Sequence, residues 1–413
     1  MGLSSAVRQL AIALGVALCA GSQTRAQGLK DIGPLFDDEV RLPFSFSIAS
    51  AAGWDSRPGA GSSTGDNDSL PSDGGGSGFW QNSFDMHYPV WEGRHRLTID
   101  ANFSNTWYFD PPAGTQEFNN AGGLDAFYTG QIDSRLTIGN NLHVIHQTEP
   151  DFSVGSSINR PTSGYFSGSN RLWAVYKLSN RFSTETSFTA SGISYDDEEV
   201  EDENNFTGTF SEKLRYALTL RTTATLEYRY SFSQYPDNPA ADSTSNFILI
   251  GVDRPLGRFL SMSLSGGEEF RSYDGPLGER TAPYAQAAIN YRARENTTFR
   301  LYYRSGLETT GRAGRQSNSS RRMGLELTHR FTPRLSFNMA IDSIQSDFSG
   351  GGAAGLLNST EDTLHASLGL HYTRPLWRRF NFDANYTYAM VDSDEEAAEY
   401  QRHRVSMGVS ARF

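Results

Sequence analysis

The sequence predicts an all-β fold: a transmembrane antiparallel β-barrel of about 18 strands, with short periplasmic turns and longer extracellular loops. Three observations predict it. The chain opens with a secretory signal, and its long middle alternates polar and apolar residues with period two. Its last segment, RHRVSMGVSARF, is itself a two-faced strand.

At the amino end, Arg8 is followed by the apolar run LAIALGVALCA and by small residues at Thr24 and Ala26. This is the pattern of a signal peptide over residues 1–26, cut before Gln27. The apolar run is shorter than the roughly 17–25 residues a spanning helix needs, and no later segment approaches that length. Cys19, the only cysteine, falls inside the signal. Leu18 stands before it where a lipid box wants a small residue, which argues against acylation. A mature chain without cysteine excludes disulfides and thiolate metal sites. The formal net charge of −11 becomes −13 once Arg8 and Arg25 leave with the signal, which argues against nucleic acid as a partner. Forty glycines and an apolar content of 37% suit a barrel, in which only every second strand residue meets lipid.

Residues 27–40 (QGLKDIGPLFDDEV) read as a short periplasmic lead, too short for a folded domain, and 41–413 as the barrel. Strands are predicted near 41–54, 78–91, 94–109, 124–133, 136–149, 169–178, 181–196, 204–219, 222–235, 244–254, 258–273, 281–293, 297–309, 320–331, 334–349, 362–374, 378–393 and 400–413. Tight turns fall near Trp91–Arg94, Ser134–Arg135, Ser179–Arg181, Leu220–Thr223, Pro255–Arg258, Arg294–Thr297, Thr332–Arg334 and Pro375–Arg379. With an even strand number these turns share one side with both ends of the barrel, and every longer loop faces the other. A repeat near 40 residues also fits a β-propeller. Strands this long, and the lack of a recurring Trp-Asp signature, favour the barrel.

The loops differ in chemistry. Residues 55–77 are Gly/Ser-rich and read as a mobile loop, whereas 196–205 and 392–399 are acidic. The acidic runs suit a solvated surface, or cation bridging to lipopolysaccharide, or screening of a pore mouth. The loop 150–168 is long enough to fold inward as a constriction.

Strand phase sorts side chains into two faces. Phe380, Phe382, Ala384, Tyr386, Tyr388 and Met390 share one face; Asn381, Asp383, Asn385 and Thr387 share the other. An Arg or Lys at the bilayer midplane costs about 2–4 kcal/mol, so the apolar face must meet lipid. The same sorting turns Leu364, Ala366, Leu368, Leu370 and Tyr372 outward and His365, Ser367 and His371 inward. Inward cations and acids then include Arg292, Arg300, Arg304, Glu308, Arg322, Glu326 and Arg330, with Arg404 and Arg412 on the last strand. Earlier strands add Asp85, Arg96, Asp100, Glu185, Lys213, Arg215, Glu227, Arg229, Glu269 and Arg271. Buried unpaired charge is costly, so such a lumen is either wet or cross-linked by ion pairs. The arginines therefore either stiffen the wall or set a positive potential that favours anions. Inward aromatics are few beyond Tyr108, Tyr284 and Tyr302. Glu212 falls in the lipid phase, implying a bulge or a rim position, and the phases of 124–133, 169–178 and 244–254 are ambiguous.

No Gly-x-Ser-x-Gly elbow, His-Glu-x-x-His pair or metal-ligand spacing occurs, so neither an enzyme nor a cofactor is expected. The final strand places Ser406, Gly408, Ala411 and Phe413 in a polar-x-Gly-x-x-apolar-x-aromatic spacing that resembles the carboxy-terminal insertion signal of outer-membrane barrels.

The segments RLWAVYKLSNRFSTETSFTASGISYDD, SRRMGLELTHRFTPRLSFNMAIDSIQSDFSG and DTLHASLGLHYTRPLWRRFNFDANYTYAMVDSD repeat one rhythm: an inward strand, a turn with Arg, then an aromatic strand ending in acid. Over most of residues 40–413 this resembles the putative β-barrel porin type 2 family. The resemblance implies an 18-stranded outer-membrane pore, often linked to exopolysaccharide export, with no catalytic residues. The expected environment is a Gram-negative outer membrane. Expected partners are its lipid and lipopolysaccharide, the barrel assembly machinery and periplasmic polysaccharide-export components. Three roles stay open: passage of polysaccharide or other anionic, hydrophilic solutes outward; general diffusion of small hydrophilic solutes; or a structural, adhesive barrel with a closed lumen.

Overall fold

A computed structural model describes residues 44–58, 75–91, 93–112, 116–148, 164–196, 203–275, 278–293, 296–308, 317–349, 359–373, 380–394 and 399–413. The predicted signal peptide, the predicted lead 27–40, most of the first loop and the expected constriction at 150–163 lie outside these residues, as do the acidic runs at 197–202 and 395–398. From Ser45 onward the chain forms eighteen strands: β1 Ser45–Asp55, β2 Ser77–Trp91, β3 His95–Tyr108, β4 Phe118–Gln131, β5 Leu136–Gln147, β6 Tyr165–Lys177, β7 Phe182–Tyr195, β8 Asn205–Ala217, β9 Thr223–Gln234, β10 Ser243–Pro255, β11 Leu260–Tyr273, β12 Glu279–Ala293, β13 Thr297–Glu308, β14 Ser317–Thr332, β15 Leu335–Ser349, β16 Ser359–Thr373, β17 Phe380–Ser393 and β18 Tyr400–Arg412.

Each strand pairs antiparallel with the next, and β18 pairs with β1, so the sheet closes and leaves no free edge. Among the described residues only two register shifts interrupt the ladders, at Pro89/Trp91 and at Arg330/Thr332. Closure is sealed on the turn side by Phe413. Its N–H donates to Phe46 O at 2.8 Å, and its ring stacks on Phe46 at 5.0 Å.

Three of the described turns share a local device. Asp133 accepts the N–H groups of Arg135 and Leu136 at 2.6 and 2.7 Å, while Ser179 and Thr332 do the same with their hydroxyls. Those two N–H groups hold the Asp133 carboxyl below its ordinary range. The turn's stabilisation is therefore complete at neutral pH and fades only as acid protonates Asp133. Gly93 supplies the left-handed step of the β2–β3 turn at φ 110°.

All eighteen predicted strands are present, with the β1, β4 and β6 starts moved; β1 begins at Ser45, not 41. β4 begins at Phe118, not 124, and β6 at Tyr165, not 169, so part of the expected 150–168 loop is strand. Outside, exposed Trp54, Trp80, Trp107 and Phe118 mark the loop end, and Trp91, Tyr216, Phe380 and Phe413 the turn end. These are the two aromatic girdles of a membrane barrel.

Glu212 corrects an expectation. The β7–β8 and β8–β9 registers run unbroken, so no bulge turns it inward. It faces outward five residues from the turn-side end of β8, roughly 17 Å along the strand and therefore not at the rim. The hydroxyls of Thr184 and Thr186 donate to its two carboxylate oxygens, which satisfies the group locally. An acidic side chain on the lipid face still costs stability, though less than Arg or Lys. Glu212→Leu is expected to raise the midpoint of thermal unfolding in detergent by an amount matching about 1 kcal/mol. A drop of the same size would mean that Glu212 holds β7 to β8 more than lipid penalises it.

Candidate functional site

Alternation links across every strand pair, so one register settles all faces. Asp55 lies opposite Arg404, Asp85 opposite Asn102, Lys213 opposite Glu227, Arg300 opposite Glu326 and His371 opposite Asp383. Arg96, Asp100, Arg215, Glu227, Arg229, Arg292, Arg300, Arg304, Arg322, Glu326, Arg330, His365, His371, Asp383, Arg404 and Arg412 all fall in this one phase. The other phase carries the exposed apolar side chains, so these residues line the lumen. They do not form one site. Ser406 and Gly408 also face inward, against Gly53 and Ala51, whereas Ala411 and Phe413 face out.

Towards the turns the wall is loosely tied. His371 Nδ1 meets Asp383 at 2.6 Å and His87 meets Asp100 at 2.5 Å, each across one strand pair. Arg300 reaches Glu326 at 3.6 Å with both side chains about half exposed (53% and 50%), a geometry that contributes little. Arg96, Arg292 and Arg330 are exposed and make no ion pair with a described residue. Tyr302 lies across Gly324, where an added Cβ would come within 2.2 Å of its ring, and its hydroxyl donates to Asp342. The glycine is thus what lets Tyr302 lie flat against the wall.

A second group, from β6 to β14, is tighter. Glu185 accepts from Arg171 at 2.7 Å and from Arg215; Glu227 accepts from Lys213 at 2.9 Å and Arg229 at 2.8 Å. Each of these carboxylates is shared by two cations. Arg229 also sits over Phe247 at 5.2 Å and over Tyr284 at 5.5 Å, while Arg304 approaches the same Tyr284 ring at 5.9 Å. Arg304 makes no ion pair among the described residues and stands directly opposite Arg322 in the register. Arg322 reaches Glu308 at 3.8 Å. Like charges placed opposite each other are destabilising, so this pairing needs a reason.

These residues surround a cavity of 940 Å³, lined by the cations Arg171, Lys213, Arg229, Arg271, Arg304 and Arg322 against the acids Glu185, Glu227 and Glu308. The lining carries three more positive than negative charges. Most of the rest of the wall is hydroxyl. Thr189, Thr209, Ser231 and Ser245 are register partners in one row across β7–β10, bounded by Arg171 on β6 and Arg271 on β11. Ser191, Thr207, Ser233 and Ser243 make the next row towards the loops.

Two buried ion pairs brace the loop-side wall. Arg271 donates to Glu269 at 2.8 Å and to Leu307 O at 2.9 Å, with Glu269 fully buried and Arg271 6% exposed. At the seam, Arg402 Nε donates to Asp55 at 2.9 Å, Tyr108 OH donates to Asp55 at 3.1 Å, and Arg404 lies 4.0 Å away. The sequence reading placed Asp55 in a loop and passed over Arg402, although extending the β18 alternation two residues back from Arg404 turns Arg402 inward.

Inward aromatics are not few, contrary to expectation. Phe79, Tyr165, Tyr195, Phe247, Tyr273 and Phe348 join Tyr108 and Tyr284 as buried rings in the lumen phase, mostly near the loop ends of their strands. Tyr165 fell outside its predicted strand, whereas Tyr195 and Tyr273 stood inside theirs, in phase with Glu185 and Arg271, and were passed over. Among the described residues no three His, Cys, Asp or Glu side chains come together in a metal-binding group.

A family model described as putative beta-barrel porin 2 matches residues 93–413. Among solved structures, a BenF-like porin from Pseudomonas fluorescens Pf-5 is similar at 12% identity and TM-score 0.45, over 90% of this chain and 99% of that one. OccAB4 from Acinetobacter baumannii gives 12% and 0.42, over 91% and 100%. OpdK from Pseudomonas aeruginosa, solved with vanillate, gives 12% and 0.43, over 90% and 98%. No curated protein matches.

Proposed function

Since the chain belongs to the putative beta-barrel porin 2 family, a group of porin-like outer-membrane barrels, we propose that it is a passive, anion-preferring pore for hydrophilic solutes in a Gram-negative outer membrane. The observation that carries this is the wall around the 940 Å³ cavity, where cations exceed acids by three and Arg304 has no carboxylate partner among the described residues. A barrel this wide has room for an aqueous path. Charged rings along such a path set which ions enter.

The size of the effect follows from Coulomb's law. A unit charge about 8 Å from the path contributes roughly 0.5 kcal/mol in water, so three contribute about 1.5 kcal/mol unscreened. At physiological salt the Debye length is also about 8 Å, which cuts this to roughly 0.5 kcal/mol. Selectivity is therefore about tenfold or more in dilute salt and a few-fold at physiological strength. The reading assigns no catalytic residue and extends to lipid, lipopolysaccharide and the barrel assembly machinery as partners. Outward passage of an acidic polysaccharide is the second reading, favoured by the hydroxyl rows beside the arginines.

Single-channel recording of the refolded full chain separates these. A steady open conductance indifferent to acidic polysaccharide supports a small-solute pore. A channel that the polymer plugs supports export, and absence of conductance leaves only a closed, structural barrel.

A further inference from the structure

We propose that the hydroxyl rows and the Arg229–Tyr284–Arg304 cluster form one binding station for hydroxylated carboxylates, the chemistry of sugar acids. The inference rests on the anion-preferring reading above and names what the pore prefers among anions.

Four hydroxyl side chains in a register row, one per strand, extend over about 14 Å at the usual strand spacing. Each can donate and accept, and they already meet one another: Thr209 contacts Ser231 and Thr207 contacts Ser233, both at 2.9 Å. A surface built this way can exchange partners with the hydroxyls of a solute at little net cost, because each bond it gives up is replaced by one of the same kind. Apolar anions find no comparable partner there.

The charged half lies beside it. Arg304, opposite Arg322 and without a carboxylate partner among the described residues, is the guanidinium that an incoming carboxylate can claim without breaking an ion pair there. A carboxylate between Arg304 and Arg322 would also relieve their mutual repulsion. At the end of the row Arg271, which lines the same cavity, keeps Nη1 buried without a hydrogen-bond partner. Its other nitrogens are held by Glu269, Ser245 and Leu307 O, so Nη1 is oriented in advance. The cavity volume of 940 Å³ lies at the upper end of the range for small-molecule sites, enough for a sugar acid and its water.

The test is current block of the refolded full chain by D-galacturonate, with glucose (hydroxyls without charge) and propionate (charge without hydroxyls) as controls. Galacturonate is expected to bind at least about tenfold more tightly than either, the effect of one or two net hydrogen bonds or of a charge-assisted one. Arg304→Gln should weaken both carboxylates, and Arg304→Lys should restore them in part. Thr209→Ala with Ser231→Ala should erase the advantage of galacturonate over propionate; Thr189→Val, on the neighbouring strand, replaces that pair should it fail to assemble. Equal binding of galacturonate and propionate, with anion selectivity intact, overturns the station and leaves the pore reading standing. An advantage that survives loss of the hydroxyls overturns it as well. A wild-type channel without anion preference defeats the pore reading first, and the station with it.

Discussion

Replacing both Arg304 and Arg322 with glutamate is expected to turn an anion-preferring channel into a cation-preferring one. Each change moves the cavity lining by two charges, so an excess of three positive charges becomes a deficit of one. Arg304→Glu alone should reduce the preference without abolishing it. That single variant is also the safer one structurally, since Arg304 makes no ion pair among the described residues and approaches the Tyr284 ring at 5.9 Å. Arg322 is different: it meets Glu308 at 3.8 Å, and a second acid there adds repulsion on β13 and β14. Assembly of the double variant should therefore be checked first, by the gel-mobility shift between folded and heat-denatured barrel. Reversal potentials in a dilute salt gradient then give the sign. An unchanged preference in the assembled double variant would place the selectivity elsewhere, for instance among the exposed arginines near the turns.

The second large effect is at the seam. Asp55→Ala is expected to cost about 3–5 kcal/mol, because it removes the fully buried carboxylate that pairs with the Arg402 guanidinium where β1 closes on β18. Arg402 is 6% exposed, and the Tyr108 hydroxyl that it also reaches, at 3.3 Å, carries no charge to balance it. Removing both charges, as Asp55→Asn with Arg402→Met, should cost much less, since the penalty lies in the orphaned charge and not in the loss of the pair. The half-exposed Arg300–Glu326 pair is the control: Glu326→Ala should change stability by about 0–1 kcal/mol. Urea or heat unfolding in detergent micelles reads all three. If Asp55→Ala costs no more than Glu326→Ala, the seam is held by its backbone ladder alone.

Much of this barrel was legible in the chain itself. Period-two alternation bounded by turn residues located every strand, and the cost of charge in lipid settled which face looks inward. Strand limits failed where alternation fades: FNNAGG at the start of β4 and YFSGSN at the start of β6 carry small or polar residues on both faces. β10 was ambiguous for the opposite reason, since Phe247 and Leu249 face the lumen while Ile248 and Ile250 face lipid. The lumen charges could be named from phase, but not their pairings. Glu185 meets Arg171 and Arg215 only because β6, β7 and β8 align in a particular register, which no local pattern encodes. The hydroxyl rows escaped for the same reason: each serine is unremarkable in its strand, and only lateral alignment makes a surface of them.

The central claim is that excess positive charge in the lumen governs passage, and the reversal potential of the wild-type channel in a dilute potassium chloride gradient tests it most directly. The expected result is a potential on the chloride side of zero that shrinks as salt is raised towards physiological strength. A potential on the potassium side, or one at zero in dilute salt, would contradict it.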